Sequence, residues 1–315
     1  MSIAVRESEP VETAALARAR SFVAIANRVA GTANKLDLDA LEAQMREVLG
    51  DRFEGMRTVD PDTLDCTVKS IVADRPDALI VVGGDGTARC AAKAAMAAPG
   101  DTAIVPLPAG TMNVLPRLVF GHDDLARAVS QLDTLEPSFL PAGVIGGEPF
   151  FLSAAFGFAA SLARLRESMR RPRRWPEVTA AAGACVRASV HALRGGPDWR
   201  ADGGKWKRAH TLIVALQSVS RVLAPEEDHP EPRRFEIAAL RLRSTIDALR
   251  LGGVALTSDW RRSKRVEIVR AGKVELRIRS SRPLVVLDGE PIRVARVDEV
   301  TLVQNAVPVL APPER

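Results

Sequence analysis

Residues 79–87 read LIVVGGDGT, an apolar run that stops in a glycine-rich loop carrying one carboxylate, Asp85. A second apolar run, residues 104–113 (IVPLPAGTMN), stops in another polar loop that contains a glycine. Short apolar runs bounded by glycine or proline are typical of buried strands. The two runs therefore predict buried strands close together in the chain, each followed by a polar loop.

Strand-like and helix-like segments alternate throughout residues 20–137. SFVAIAN (21–27) predicts a strand, and the apolar spacing of residues 38–48 predicts an amphipathic helix. GGDGT is followed by an alanine-rich helical segment, residues 88–98. The alternation predicts an α/β domain with a parallel sheet covered by helices, whose ligands bind beyond the carboxyl ends of the strands. Three polar loops would gather at that edge: 27–34, 83–87 and 109–113.

The pattern of apolar and polar residues changes near residue 138. Residues 138–158 read as a hairpin that turns at Gly146–Gly147, and a helical insertion is predicted over 159–194. Short strands with alternating apolar and polar residues follow, and RAGK (270–273) is interpreted as a hairpin turn. Residues 138–315 are therefore predicted to form a mainly antiparallel β-sandwich domain. Whether the last residues return to the first domain is left open. Residues 1–19 are assigned to an N-terminal arm.

The charge is distributed unevenly between the two halves of the chain. Residues 1–160 carry 14 Lys and Arg against 21 Asp and Glu, a net charge of −7. Residues 161–315 carry 30 against 18, a net charge of +12. Halves of opposite sign predict two domains with different partners, and a basic half is suited to an anionic surface.

Composition also argues against several classes of protein. No apolar run has the length of a membrane span, and the first residues lack the apolar core of a signal peptide. The three cysteines and four histidines show no zinc-ligand spacing. The basic residues are not interleaved with stacking aromatics, and the chain has no tyrosine, which disfavours nucleic-acid binding. A cytoplasmic protein is expected.

The chemistry of GGDGT points to a nucleotide phosphate chain. The loop lacks the lysine of a P-loop and the spacing of a dinucleotide fingerprint. Its glycines would let backbone N–H groups approach phosphate oxygens, and Thr87 could cap the following helix. Asp85 would repel bare phosphate unless a cation lies between them, so the loop predicts Mg²⁺ at Asp85.

Three motifs together resemble one known family. GGDGT (83–87), PAGTMN (108–113) and DGE (288–290) follow the order and spacing of the diacylglycerol kinase catalytic-domain family over nearly the whole chain. That family includes bacterial soluble diacylglycerol kinases, YegS-like lipid kinases, and sphingosine and ceramide kinases. The resemblance implies an NAD kinase/diacylglycerol kinase-like ATP-binding domain, a lipid-binding β domain and Mg²⁺-dependent transfer of the ATP γ-phosphate to a lipid hydroxyl in an interdomain cleft.

The resemblance also implies roles for individual residues. Asp288 would be the general base on the lipid hydroxyl, with Glu290 nearby, although Asp85 is a second candidate for the base. The residues implied in binding ATP are Asn27, Gly31, Gly83, Gly84, Asp85, Gly86, Thr87, Gly110, Thr111 and Asn113.

The chain departs from the family pattern at several positions. Arg28 replaces a proline of the first nucleotide loop, Val114 stands where many bacterial members have aspartate, and residues 157–160 read GFAA rather than GFDA. Whether an accessory aspartate–Mg²⁺ network exists is therefore left open. The acceptor is left open among diacylglycerol, ceramide and a sphingoid base.

Two other functions and several partners are also left open. An NAD kinase-like enzyme shares the GGDGT loop, and a degenerate lipid- or nucleotide-binding protein would fit the missing aspartates. Ser161–Arg174 (SLARLRESMRRPRR) has apolar residues at helical spacing surrounded by arginines, which predicts peripheral binding to anionic membrane at the inner face of the cell membrane. A homodimer is one candidate for the oligomeric state.

Overall fold

The computed structural model describes residues 19–28, 36–98, 100, 102–160, 196–216, 234–241, 266–295 and 297–313. Most of the predicted N-terminal arm, nearly all of the predicted insertion 159–194 and Ser161–Arg174 lie outside these residues. The chain forms two compact units. One contains Met1–Pro141 with Gln304–Arg315, and the other contains Ala142–Val303.

The first unit alternates strands and helices as the apolar pattern predicts. Its elements are β1 (Phe22–Asn27), α1 (Leu38–Leu49), β2 (Phe53–Val59), α2 (Leu64–Ala73), β3 (Ala78–Gly83), α3 (Asp85–Ala97), β4 (Ala103–Pro108), α4 (Val114–Phe120) and α5 (Leu125–Ser130). The end of a long strand, β16 (Glu299–Ala311), completes this unit.

A parallel sheet forms the centre of the first unit. Its strands lie in the order β2-β1-β3-β4-β16, and Val309 of β16 pairs with Ile104 of β4. Strands β1, β3 and β4 are buried along their whole length. Burial on both faces explains their continuous apolar sequences, since an alternating pattern would expose one face. The predicted α/β domain is confirmed.

The second unit consists mainly of antiparallel strands. It contains the end of β5 (Glu136–Ile145), the start of β16, and β6 (Glu148–Phe150), β7 (Ser153–Gly157), β8 (Asp198–Ala201), β9 (Lys207–Arg208), β10 (Thr211–Ala215), β11 (Phe235–Leu240), β12 (Val266–Ala271), β13 (Lys273–Arg277), β14 (Leu284–Leu287) and β15 (Glu290–Arg293). Six of these strands pair in the order β12-β11-β10-β7-β14-β15. The remaining strands pair as β16-β13-β8-β9 and as the hairpin β5-β6. The predicted antiparallel domain is confirmed.

The β5–β6 hairpin turns where the sequence indicates. Gly146 and Gly147 have positive φ angles of 55° and 82°, which a two-residue turn of this kind requires. Gly143 is opposite Phe150, and a Cβ on Gly143 would lie 2.0 Å from the Phe150 ring. The ring therefore packs directly on the backbone of the facing strand.

The interpretation of RAGK (270–273) as a hairpin turn is wrong. Strand β12 pairs with β11, whereas β13 pairs with β16 and β8, so the chain passes between two sheets at Gly272. Asp202 fixes this crossing, because its Oδ1 accepts the N–H groups of Gly272 and Lys273 at 3.1 and 2.9 Å.

No helix in the part of the chain that the structure describes combines the length and apolar character needed to span a bilayer.

Candidate active site

Neighbouring strands bring the predicted loops of the first unit to one edge of its sheet. Strand β3 lies between β1 and β4, and Gly83 pairs with Pro108 at the carboxyl ends of their strands. The polar residues that follow these strands therefore start side by side, as expected for a ligand site in a parallel sheet.

A buried hydrogen bond joins the first two loops. Asn27 Nδ2, at the end of β1, donates to Thr87 Oγ1 at 3.0 Å. Asn27 and Thr87 are only 6% and 3% exposed. The expectation that Thr87 caps the helix is wrong: α3 begins at Asp85 and its cap residue is Gly84, whose carbonyl accepts the N–H of Thr87 at 2.9 Å. Thr87 instead receives the side-chain amide of Asn27.

The two glycine loops approach each other so closely that side chains are excluded. A Cβ on Gly110 would lie 2.7 Å from the Cα of Gly84, and a Cβ on Gly83 would lie 2.8 Å from Thr87 Oγ1. These contacts are shorter than van der Waals distances, so the packing itself requires glycine at 83 and 110. At Gly84 a Cβ would meet its nearest atom at 3.9 Å, so packing alone does not require glycine there.

Two further hydrogen bonds brace the loops. Asn113 Oδ1 accepts the N–H of Gly110 at 2.7 Å, and Asn113 adopts a left-handed backbone with φ of 50°. Asp85 Oδ1 accepts the N–H of Leu115 at 3.0 Å, which connects the start of α3 to the first turn of α4. The loops after β3 and β4 are thus held together as one cradle lined with glycine.

The cradle fits a nucleotide phosphate chain with a bound cation. Asp85 is half-buried, and the helix start beside it favours anions. In the described part of the chain, no three His, Cys, Asp or Glu side chains cluster as metal ligands. A cation at Asp85 would therefore take most of its ligands from phosphate oxygens and water, which is how Mg²⁺ is commonly held beside phosphates.

Asp288 lies in the second unit and is held firmly by the main chain. With Gly289 it forms the two-residue turn between β14 and β15, with φ angles of 51° and 88°. Its carboxylate accepts three backbone N–H groups at 2.8–3.0 Å, from Phe151, Leu152 and Ser153. The N–H of Asp288 donates to Ser153 O at 2.9 Å. Asp288 therefore fastens its turn to the segment that begins β7.

The remaining predicted site residues have varied surroundings. Gly86, Thr111 and Glu290 are exposed, and Gly31 lies outside the described residues. Met112, next to Thr111, is 61% exposed. The structure brings together Asn27 with Thr87, and Asp85 with the loop that contains Gly110 and Asn113.

Sequence reasoning missed the backbone donors that orient the two aspartates. These donors are the amides of Leu115 for Asp85 and of residues 151–153 for Asp288. A main-chain N–H has no residue signature, so only the turn position of each aspartate could have suggested such contacts.

Comparison with known proteins addresses the family directly. Residues 21–138 match the model of the diacylglycerol kinase catalytic domain. The match covers that segment of the chain and supports the family that the motifs suggested. The matched segment contains β1, β3 and β4 and the whole glycine cradle. Two of the three motifs that suggested the family, GGDGT and PAGTMN, lie within the match, and DGE (288–290) lies outside it.

Solved structures share the fold of this chain over most of its length. One is described as a diacylglycerol kinase from Bacillus anthracis str. Sterne; it has a TM-score of 0.65 and 14% identity, and the match covers 94% of this chain and 98% of that one. A second, described as a proposed diacylglycerol kinase from the same organism, has a TM-score of 0.67, 15% identity and the same coverage. At such low identity these similarities establish the fold alone.

Proposed function

We propose that the chain is a Mg²⁺- and ATP-dependent lipid kinase that transfers the γ-phosphate to a lipid hydroxyl. The observation that carries the proposal is the braced glycine cradle with Asp85 at the start of α3. Its two loops lie within the segment that matches the model of the diacylglycerol kinase catalytic domain. Phosphoryl transfer depends mainly on positioning and charge neutralisation, which a braced cradle of this kind is suited to provide.

The proposed roles of the residues follow their contacts. MgATP would supply the phosphoryl group, with the metal neutralising charge on the phosphates. Gly84 and Gly86 would leave room for phosphate oxygens, and Asp85 would hold the cation. The Asn27–Thr87 and Gly110–Asn113 bonds keep the cradle in shape before the nucleotide binds.

Asp288 is proposed to orient the acceptor hydroxyl and accept its proton, with Glu290 beside it in the turn. A base near the attacking hydroxyl typically contributes about 10²–10⁴-fold. The three amides fix the position of the carboxylate, which supports a positioning role. The predicted membrane segment Ser161–Arg174 remains a proposal, as do diacylglycerol, ceramide and sphingoid bases as acceptors.

Product analysis tests the proposal. The purified chain would be incubated with MgATP and, separately, diacylglycerol, ceramide, sphingosine, monoacylglycerol and NAD, and the products identified by mass spectrometry. We expect a phosphorylated lipid, no phosphorylated NAD, and loss of product in an Asp85→Asn variant. Phosphorylation of NAD alone, or of none of these compounds, would contradict the lipid-kinase assignment.

A further inference from the structure

A cluster of exposed arginines follows strand β13 in the second unit. We define the arginine loop as Arg277–Arg282, which reads RIRSSR, together with Arg293 of β15. All four arginines of this loop are exposed. Arg293 Nη1 donates to the carbonyl of Arg282 at 3.0 Å, and Ser280 Oγ accepts the N–H of Arg282 at 3.2 Å. These bonds hold the loop beside β15.

The arginine loop differs from many basic side chains of the described residues in that it has no carboxylate partner among them. Many basic residues in the described part of the chain form ion pairs within 4.0 Å, among them Arg46, Arg52, Lys69, Arg117, Arg200, Lys207 and Lys273. No carboxylate of the described residues lies within that distance of the four guanidinium groups of the loop. Their positive charge is therefore directed outward and is suited to an external anion.

A cleft of about 350 Å³ opens beside the loop. Arg277, Arg279 and the hydroxyl residues Ser280 and Ser281 line it. Guanidinium and hydroxyl groups are the side-chain donors that bind phosphate. Asp198 and Asp298 also line the cleft and balance the charges of Arg277 and Arg279 there. The excess of positive charge in the loop comes from Arg282 and Arg293, which are exposed and outside the cleft lining.

Trp206 lies against this surface. The guanidinium carbon of Arg277 is 3.8 Å from the centre of the indole ring, and that of Arg200 is 4.9 Å away. Tryptophan beside basic residues is favoured at the interface between lipid headgroups and water. The ring is already covered by guanidinium groups, which disfavours the stacking of nucleic-acid bases. The combination favours a lipid surface over a nucleic acid.

We infer that the arginine loop and Trp206 form a docking surface for the anionic headgroups of a phospholipid bilayer. The choice of a bilayer rests on the proposed function, since a lipid kinase must reach an acceptor that stays in the membrane. The surface lies outside the predicted Ser161–Arg174 segment and provides a second point of attachment. Binding of this kind weakens as salt rises, because it depends on exposed charges.

Vesicle binding tests the inference with a matched pair of variants. The full chain would be sedimented with vesicles of phosphatidylcholine alone, or with added phosphatidylglycerol, at several salt concentrations. The test variant is Arg279→Gln/Arg282→Gln, which removes two side chains that form no ion pair with the residues the structure describes. The control is Arg57→Gln/Arg127→Gln, which removes the same charge from exposed positions of the first unit.

We expect the test variant to bind anionic vesicles about 30-fold more weakly at low salt, from roughly 1 kcal/mol for each basic residue and tenfold for each 1.4 kcal/mol. The control should bind as the unmodified chain does, and Trp206→Ala should also weaken binding. Equal loss in test and control variants, or no loss in the test variant, would overturn the inference. So would a larger loss of oligonucleotide binding, measured by fluorescence anisotropy, than of vesicle binding.

The failure of this inference can be distinguished from failure of the proposed function. Turnover would be measured with a short-chain lipid acceptor in neutral detergent micelles, where docking to anionic headgroups is not needed. If the chain is active but its vesicle binding does not depend on the arginine loop, only the docking surface is contradicted. An inactive chain whose vesicle binding depends on the loop would support the docking surface and contradict the kinase.

Discussion

Asp85 and Asp288 both follow the end of a strand, but the main chain holds them in different ways. Asp85, in the first unit, accepts one backbone N–H, that of Leu115, among the described residues. Asp288, in the second unit, accepts three and adopts a left-handed backbone with φ of 51°. A carboxylate has about four acceptor directions. Asp85 thus keeps capacity for a cation, whereas most of the capacity of Asp288 is engaged in fixing its turn.

This difference distinguishes an aspartate that contributes mainly to the reaction from one that also stabilises the fold. Removal of the Asp85 charge should affect chemistry and leave the fold nearly unchanged, because an Asn oxygen can still accept the N–H of Leu115. Removal of the Asp288 charge should affect both, because three amides lose the charge that they solvate. Turnover and unfolding must therefore be measured together on each variant.

The largest combined effect is expected for Asp288→Asn. Turnover should fall about 10²–10⁴-fold if the carboxylate acts on the acceptor hydroxyl. Stability should also fall, because hydrogen bonds to a charged group contribute about 1.5–3 kcal/mol each. Steady-state kinetics, ATP binding by calorimetry and urea unfolding of the same variant would give the three quantities.

Asp202→Asn is the matched control for Asp288→Asn. Asp202 also has a positive φ angle, 44°, and accepts two backbone N–H groups, but no reaction role is proposed for it. We expect it to lose stability and keep its turnover. If Asp202→Asn and Asp288→Asn lose the same fraction of turnover, Asp288 is only an anchor and the proposed base is incorrect.

Asp85→Asn should reduce turnover about 10²–10³-fold, the usual cost of removing one element of preorganised charge stabilisation. The free energy of unfolding should change little. The control is Asp65→Asn, in the same unit, which removes an exposed carboxylate paired with Lys69. Turnover titrated against Mg²⁺ is the measurement, and an unchanged Mg²⁺ dependence in Asp85→Asn would remove Asp85 from the cation site.

Much of the first unit and its glycine cradle could be predicted from the sequence, because apolar runs and glycine-rich loops indicate local structure. The apolar runs of β1, β3 and β4 indicated the strands, and their ends located Asp85 and the cradle. The full length of β16 was not predicted, since its exposed Gln304 and Asn305 interrupt the apolar pattern. RAGK was misread because a short glycine turn looks the same whether the flanking strands pair or separate.

The contacts that orient the site residues could not be predicted in the same way. Gly84 and Gly110 are 26 residues apart in the sequence, yet a Cβ on Gly110 would touch the Gly84 backbone. Asp288 contacts amides 135–137 positions earlier in the chain. Such contacts depend on strand order, which a single sequence does not record.

The close approach of the two loops gives a smaller but sharper test within the first unit. Gly110→Ala should force the loops apart, with a loss of about 1–3 kcal/mol in stability and weaker ATP binding. Gly84→Ala has space for its methyl group, so the fold should be retained. If Gly84 lies against phosphate, Gly84→Ala should weaken ATP binding without destabilising the chain. Calorimetric titration with ATP and urea unfolding separate the effect on ATP binding from the effect on stability. Normal ATP binding by Gly84→Ala would remove Gly84 from the proposed phosphate site.

The smallest effect is expected for Glu275→Gln in the second unit, where charge is compensated within the protein itself. Arg200 Nε and Nη2 donate to the Glu275 carboxylate at 2.6 and 2.7 Å, and this bond lowers the pKa of Glu275 despite its partial burial. A carboxyl group whose pKa is lower in the folded state stabilises the protein at pH values above its unfolded-state pKa, near ~4.3. This contribution is lost as the pH falls through its folded-state pKa. Glu275→Gln should therefore be less stable than the unmodified chain at pH 7, and the gap should narrow in acid. Urea unfolding midpoints at several pH values measure this difference in stability. A difference that stays constant with pH would show that the Arg200–Glu275 pair contributes through packing alone.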